Sequence, residues 1–242
     1  MGRMTSTPPL RLTREVILGD SIRAMVEAID PDAPLLSEDE HRASLETLFA
    51  ERPDKGDVWV FAYGSLMWNP LIHYVETRLG LVRGHHRCFC LWSRIGRGTA
   101  QKPGLTLALE RGGSCRGVLY RVAESIAAQE LQILWRREML TGAYAPRWLK
   151  VGTGEGPVHA LAFLINRAHV RYAGKLPEER VITAIAEAHG PLGACATYLF
   201  NTVAHLEDLG IRERKLARLR DLVRERIGQA RVDVGSGAAG TF

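Results

Sequence analysis

The chain of 242 residues carries a net charge of +5, with 46% hydrophobic and 24% charged residues. That make-up belongs to a globular domain with a sizeable core and excludes an intrinsically disordered chain. Its longest apolar runs, such as Val158 to Ile165, are far shorter than a membrane span, so no membrane partner is expected.

The N-terminal stretch MGRMTSTPPLRLTREV has no hydrophobic segment ahead of a small-residue cleavage site, and a cytoplasmic location is expected. Residues 1 to about 15 are polar, contain Pro8-Pro9 and are predicted to be disordered. Residues 20–51 have room for two short helices, one of them opened by Ser37 ahead of Glu38-Asp39-Glu40. The charged segment Glu51-Arg52-Pro53-Asp54-Lys55-Gly56-Asp57 reads as a linker. It divides an N-terminal extension, residues 1–57, from a domain over residues 58–228, and predicts that the first 51 residues are dispensable.

The run from Val58 to Pro70 (VWVFAYGSLMWNP) begins as a buried strand and breaks at Gly64 with no helical pattern behind it. A glycine there lets backbone amides come close to another group. From Val58 to Val122 the chain reads mainly as strands. Arg87 to Trp92 alternates, Leu105 to Leu109 is short and apolar, and Cys115 to Val122 follows a turn at Arg111-Gly112-Gly113-Ser114. A helix is predicted from Glu124 to Met139, then strands Ala145 to Val151 and Val158 to Ile165. The glycines at 152, 154 and 156 are followed by Pro157 and a strand, which makes them a hairpin turn rather than a phosphate loop. Helices at Glu178 to His189, Gly193 to Leu209 and Arg212 to Ile227 follow, with residues 229–242 as a flexible tail. Strands first and helices last predict an α+β fold, a small mixed β-barrel or curved sheet flanked by helices.

The basic excess lies in the last helix, where Leu216, Leu219, Val223 and Ile227 recur at helical spacing. The charges then form its wet face, and without a nucleic-acid motif no nucleic-acid partner is expected. The sequence sets no oligomeric state. Cys88, Cys90, Cys115 and Cys195 lack paired metal spacing and read as free thiols. His85 and His86 with Cys88 and Cys90 would make a poor ligand set, so no metal is expected. Gly64-Ser65 is not a nucleophile elbow, because Met67 stands where that motif needs its second glycine.

Glu138 stands out. On a helix Leu131, Leu134, Trp135 and Glu138 fall at i, i+3, i+4 and i+7, one stripe ending in a carboxylate. Burial raises a carboxylate pKa towards neutrality, which suits a group that both takes and gives a proton. An ion pair with Arg136, Arg137 or Arg147 explains the position equally well on pattern alone.

Val60 to Trp68 (VFAYGSLMW) resembles the signature of the ChaC-type γ-glutamylcyclotransferases, which act on glutathione. The resemblance continues through Arg87-x-Phe89, Trp92-Ser93, Arg97-Gly98-Thr99, Lys102-Pro103-Gly104, Arg137-Glu138 with Gly142 and Tyr144, Gly190-Pro191-x-Gly193 and Tyr198-Leu199. It covers about Val58 to Ile227 in order. It implies a small β-barrel flanked by helices, no cofactor, glutathione as substrate and release of 5-oxoproline. The γ-glutamyl group would sit on the loop Tyr63, Gly64, Ser65 and Leu66, with Glu138 catalytic. Under this reading Gly64 exposes amides for an oxyanion, and Arg97 meets a substrate carboxylate unless it is a solvated loop arginine. Tyr63 and Tyr144 either bond the substrate or pack. The chain departs from the family's pattern at Ala62, Leu192, Cys195 and Thr197, which puts specificity for the dipeptide half in question. A sibling cyclotransferase for γ-glutamyl-amines or γ-glutamyl-amino acids, or a non-catalytic regulatory module linked to ion transport, are the competing readings.

Overall fold

The computed structural model describes residues 9–19, 21–31 and 33–237, with side chains to residue 230 apart from Ser21. Five strands close a barrel: β1 (Val58–Ala62), β2 (Glu76–Ser93), β3 (Gly104–Val122), β4 (Tyr144–Thr153) and β5 (Gly156–Ile165). The order around it is β1-β3-β2-β4-β5, and β1 meets β5 in parallel through Trp59–Ala160 and Val60–Leu161. The α+β barrel read from the sequence is the fold observed.

The strands are longer than the local pattern suggests. Gly112 and Gly113 do not end a strand, because β3 runs through them as one element of 19 residues. Opposite them β2 carries Gly84, and the register jumps between Arg83–Ser114 and His85–Arg111. All three glycines have positive φ (+80°, +100° and +71° for Gly84, Gly112 and Gly113), so the pair is a bulge in a long hairpin. The Gly152–Pro157 connection is the expected hairpin between β4 and β5.

Helix α4 (Glu124–Glu138) packs Leu131, Leu134 and Trp135 into the core, where Trp135 meets Phe163 of β5 edge-on at 5.6 Å. Helices α5 (Glu178–Glu187), α6 (Cys195–Asp208) and α7 (Arg214–Gly237) cover another side. Leu216 and Val223 of α7 are buried, and ion pairs Arg218–Glu178 and Arg226–Glu179 tie it to α5. The predicted tail from residue 229 is in fact helical to Gly237, and residues 238–242 lie outside the described residues.

The N-terminal segment is not a detached extension. Residues 1–8 lie outside the described residues, but α1 (Arg14–Leu18), α2 (Ser21–Ile29) and α3 (Glu38–Ala50) follow. Ser37 and Glu40 form a reciprocal capping box at the start of α3, as its sequence suggests. Leu48 of α3 joins the barrel core, Trp135 Nε1 donates to Ser44 Oγ at 2.8 Å, and Trp148 Nε1 donates to the Leu48 carbonyl at 2.9 Å. The charged "linker" is a clasp. Asp57 accepts from the first amide of α4 at 3.0 Å and pairs with Arg121 at 2.6 Å, while Asp54 meets His159 at 2.9 Å. Arg52, Asp54 and Asp57 are spent on fixed partners, so the segment holds the extension down instead of separating it.

Candidate active site

β1 delivers the chain to Gly64, and a single 3₁₀ turn, Ser65–Met67, follows it. The turn's first amides, on Ser65 and Leu66, have no carbonyl one turn back to bond. Gly64 has φ −133°, so positive φ is not its reason for being glycine. Close approach is. A Cβ at Gly64 would lie 3.0 Å from the Tyr198 hydroxyl.

Beside this turn α4 ends at Glu138. Arg137 joins the two: its Nε pairs with Glu138 Oε1 at 2.9 Å, Nη2 donates to Ser65 Oγ at 2.9 Å, and Nη1 donates to the Asn69 carbonyl at 2.5 Å. The Glu138 side chain is 13% exposed. Burial pushes its carboxyl above the ordinary range, against the downward pull of Arg137. Glu138 is thus ion-paired with Arg137, and burial outweighs that pairing in the direction of its shift.

Glu138 borders a cavity of about 710 Å³, within the size range of small-molecule sites. Ser65, Arg97, Glu138 and Tyr144 all line it. Tyr63, Gly64 and Leu66 do not contribute to its wall; the Tyr63 hydroxyl donates to the Phe163 carbonyl at 2.6 Å, inside the core. The Tyr144 hydroxyl donates to the Leu107 carbonyl at 3.0 Å.

Arg97 sits in the β2–β3 loop but is not solvated. Ser93 Oγ accepts its backbone amide at 2.8 Å, and its Nη1 donates to the Leu192 carbonyl at 2.5 Å. The guanidinium lies 5.9 Å from the Tyr198 ring centroid. A two-residue hairpin, β6 (His189–Gly190) with β7 (Gly193–Ala194), positions those carbonyls.

Sequence reasoning assigned no role to Arg171, Ser93 or Thr106, nor to Pro9–Thr13, all of which line the cavity. The N-terminal strip is held by Leu10 N to the Pro191 carbonyl at 2.8 Å and by Asn69 Nδ2 to the Leu12 carbonyl at 3.3 Å. Nothing local marks these residues, and the sequence predicts disorder for residues 9–13 where the structure holds them against the cavity.

A second groove of about 810 Å³ lies along β2 and the β4–β5 hairpin. It contains Arg83, Arg116 and Lys150 but no carboxylate or histidine, so it lacks a group for proton transfer near neutral pH. Among the described residues no group of three or more His, Cys, Asp or Glu side chains is gathered to hold a metal, and no helix is long and apolar enough to cross a membrane.

Residues 58–226 match the ChaC-like protein family. The chain belongs to that family. The glutathione-specific gamma-glutamylcyclotransferase of Escherichia coli (strain K12) is 41% identical over 203 residues, 84% of this chain and 87% of that protein. That match is longer than the stretch from Val58 to the C-terminus, so it takes in part of the N-terminal segment. Glutathione-specific gamma-glutamylcyclotransferase 1 of Mus musculus is 32% identical over 169 residues, 66% of this chain and 76% of that protein. Among solved structures, the yeast gamma-glutamyl cyclotransferase specific to glutathione aligns with a TM-score of 0.66 at 20% identity, over 71% of this chain and 97% of that one. This is a likeness of fold.

In this ChaC-like chain the departures fall at different depths. Leu192 and Thr197 face the cavity. Cys195 does not: it is fully buried and its thiol donates to the Leu105 carbonyl at 3.0 Å. Ala62 is likewise buried in the barrel.

Proposed function

We propose that this protein is a glutathione-specific γ-glutamylcyclotransferase that releases 5-oxoproline and cysteinylglycine, with Glu138 as its acid–base group. The observation that carries the reading is Glu138 itself, a buried carboxylate with a raised pKa on the wall of a cavity rich in arginine. Glutathione brings two carboxylates, and Arg97 and Arg171 line the same space as Glu138. The E. coli and mouse relatives support the choice of substrate.

Glu138 accepts a proton from the γ-glutamyl α-amine, which attacks the γ-carbonyl and closes a five-membered lactam. The same carboxyl then protonates the departing nitrogen of cysteinylglycine. The developing oxyanion is met by the Ser65 amide on the cavity wall, which needs no charged side chain to do so. Nucleophile and electrophile share one molecule, and well-oriented intramolecular attack has effective molarities of ~10⁵–10⁸ M. The site's task is to freeze the folded conformer. Arg137, bonded to both Glu138 and the Ser65 turn, keeps the base and the oxyanion donor in one register. A cytoplasmic setting fits the four free thiols.

The reading is tested by incubating the purified protein with glutathione and with γ-glutamyl-alanine and measuring 5-oxoproline. Release from glutathione in clear preference is expected. Release from γ-glutamyl-alanine alone would make it a sibling cyclotransferase, and none from either would sink the reading.

Gly64→Val tests the turn. The added side chain meets the Tyr198 hydroxyl, so the turn or the tyrosine must shift. Misplacement on the scale of an ångström costs about 10²-fold in rate, whereas overpacking costs about 1–3 kcal/mol of stability. Turnover is expected to fall far more than thermal stability; near-normal turnover would remove the turn from the mechanism.

A further inference from the structure

The cavity's arginines differ in how their charge is met. Arg137 is paired with Glu138. Arg171, between β5 and α5, has no carboxylate at ion-pair distance among the described residues. Its Nε donates to the Trp92 carbonyl at 2.8 Å and its Nη1 to Thr141 Oγ1 at 3.1 Å. Those neutral partners fix the guanidinium plane but leave Nη2 with no protein acceptor among the described residues.

The backbone also aims this side chain. Trp92 N donates to the Arg171 carbonyl at 2.9 Å, Ala173 N donates to the Cys90 carbonyl at 2.8 Å, and Leu91 bridges Tyr172. Residues 171–173 are thus laid against the end of β2 through an isolated antiparallel bridge, which fixes the backbone of Arg171. Burial pulls its guanidinium pKa down. Asp30, paired with Arg94, lies within electrostatic reach of Arg171 but not at bonding distance, so the guanidinium keeps a free N–H edge that an entering anion would meet.

Arg97 too has no carboxylate at ion-pair distance among the described residues; its Nη1 bonds the Leu192 and Ala194 carbonyls. The two arginines line the same cavity as Glu138. The Arg97 guanidinium lies over the Tyr198 ring, 5.9 Å from its centroid. Tyr198 is the ring against which Gly64 is packed, so Arg97 belongs to the side of the Ser65 turn. Arg171 is bonded instead to Thr141, three residues past the end of α4.

We infer that Arg171 determines specificity by binding the C-terminal carboxylate of the leaving peptide, while Arg97 takes the α-carboxylate of the γ-glutamyl group. The inference rests on the cyclotransferase reading of this cavity. It makes the enzyme selective for γ-glutamyl peptides with a free C-terminal carboxylate over otherwise equal compounds without one.

The test compares reduced glutathione with glutathione whose glycyl carboxylate is an ethyl ester. Binding is read by calorimetry and 5-oxoproline release in parallel. The wild type is expected to bind the acid about 10–100-fold more tightly than the ester, the worth of a charge-assisted fork. Arg171→Gln is expected to lower the acid to the ester's affinity and leave the ester's own affinity nearly unchanged. Unchanged ester binding also reports that the variant is folded. Arg171→Lys keeps the charge without the fork and should retain part of the preference. If Arg171→Gln loses both ligands, Arg171→Lys decides: selective loss for the acid supports the role, and equal loss overturns it. Equal binding of acid and ester by the wild type, binding of neither, or a preference that survives in Arg171→Gln also overturns it. A preference that depends on Arg171 while the wild type releases no 5-oxoproline supports the subsite and overturns the cyclotransferase reading alone.

Discussion

Glu138→Gln is expected to cut 5-oxoproline release from glutathione by about 10²–10⁴-fold, the usual worth of a general acid–base group. The loss should lie towards the upper end, because one carboxyl serves both proton transfers. Glutamine has nearly the same volume and can still accept a hydrogen bond from Arg137, which keeps its bonds to Ser65 and Asn69. The α4 stripe above it is untouched, and glutathione should still bind. A purely structural ion pair predicts the reverse, reduced stability with turnover preserved. The pH dependence of unfolding gives an independent check. Burial raises the folded pKa of Glu138 above the ordinary value of 4.5. The folded state therefore holds this proton more tightly than the unfolded chain. Its contribution to stability is complete below that ordinary value and lost as pH rises through the folded pKa. Glutamine does not titrate, so the wild type's stability relative to the variant should fall as pH rises from about 4.5 towards neutrality. A relative stability that rises with pH over that window would show that Arg137, not burial, dominates the site.

Removing residues 1–51 is expected to abolish both activity and cooperative unfolding. Arg14 meets Glu130 through two bonds of 2.6 and 3.0 Å, and the Glu130 side chain is only 2% exposed. Burial alone would raise the Glu130 pKa, but the Arg14 bonds and the His73 amide hold it below its ordinary value. Taking away one partner of such a pair strands the other and costs about 3–5 kcal/mol. The truncation also uncovers the core that Leu48 helps to fill, at about 1.5–3 kcal/mol for a buried leucine. Typical domains are stable by only about 5–15 kcal/mol in total. Arg14→Ala isolates the first term, and its measured loss of thermal stability should exceed that of Arg42→Ala, an exposed arginine of α3. Residues 9–13 also wall the cavity, so even a truncation that folded should bind glutathione poorly. A truncated protein with sharp unfolding and full turnover would show the segment to be an appendage.

How legible the molecule was depended on how local its causes are. The stripe Leu131, Leu134, Trp135 and Glu138 is a property of one helix, and the helix was found with its carboxylate at the end. The Ser37–Glu40 box and the β4–β5 turn are equally local, each written within six residues. Gly64 was found as a break in a strand, though its cause, the Tyr198 hydroxyl, comes from α6 far along the chain.

The rest was decided by pairing across distance. Gly112-Gly113 looks the same whether it turns the chain or bulges within a strand, because both need positive φ; the partner Gly84 in β2 chose the bulge. The charges of residues 51–57 look like a solvated linker until Arg121, Glu124 and His159 are brought to them. Arg171 carries no periodic signal and lies in an irregular stretch, yet pairing against β2 turns it into part of the wall. The sequence by itself determined the barrel's components, the glycine break and the buried glutamate, since propensity, periodicity and turn chemistry act over a few residues. Only the tertiary structure decided that the N-terminal strip walls the cavity and that Arg97 and Arg171 line it together with Glu138. Those contacts exist only after the barrel has closed and brought remote segments to one place.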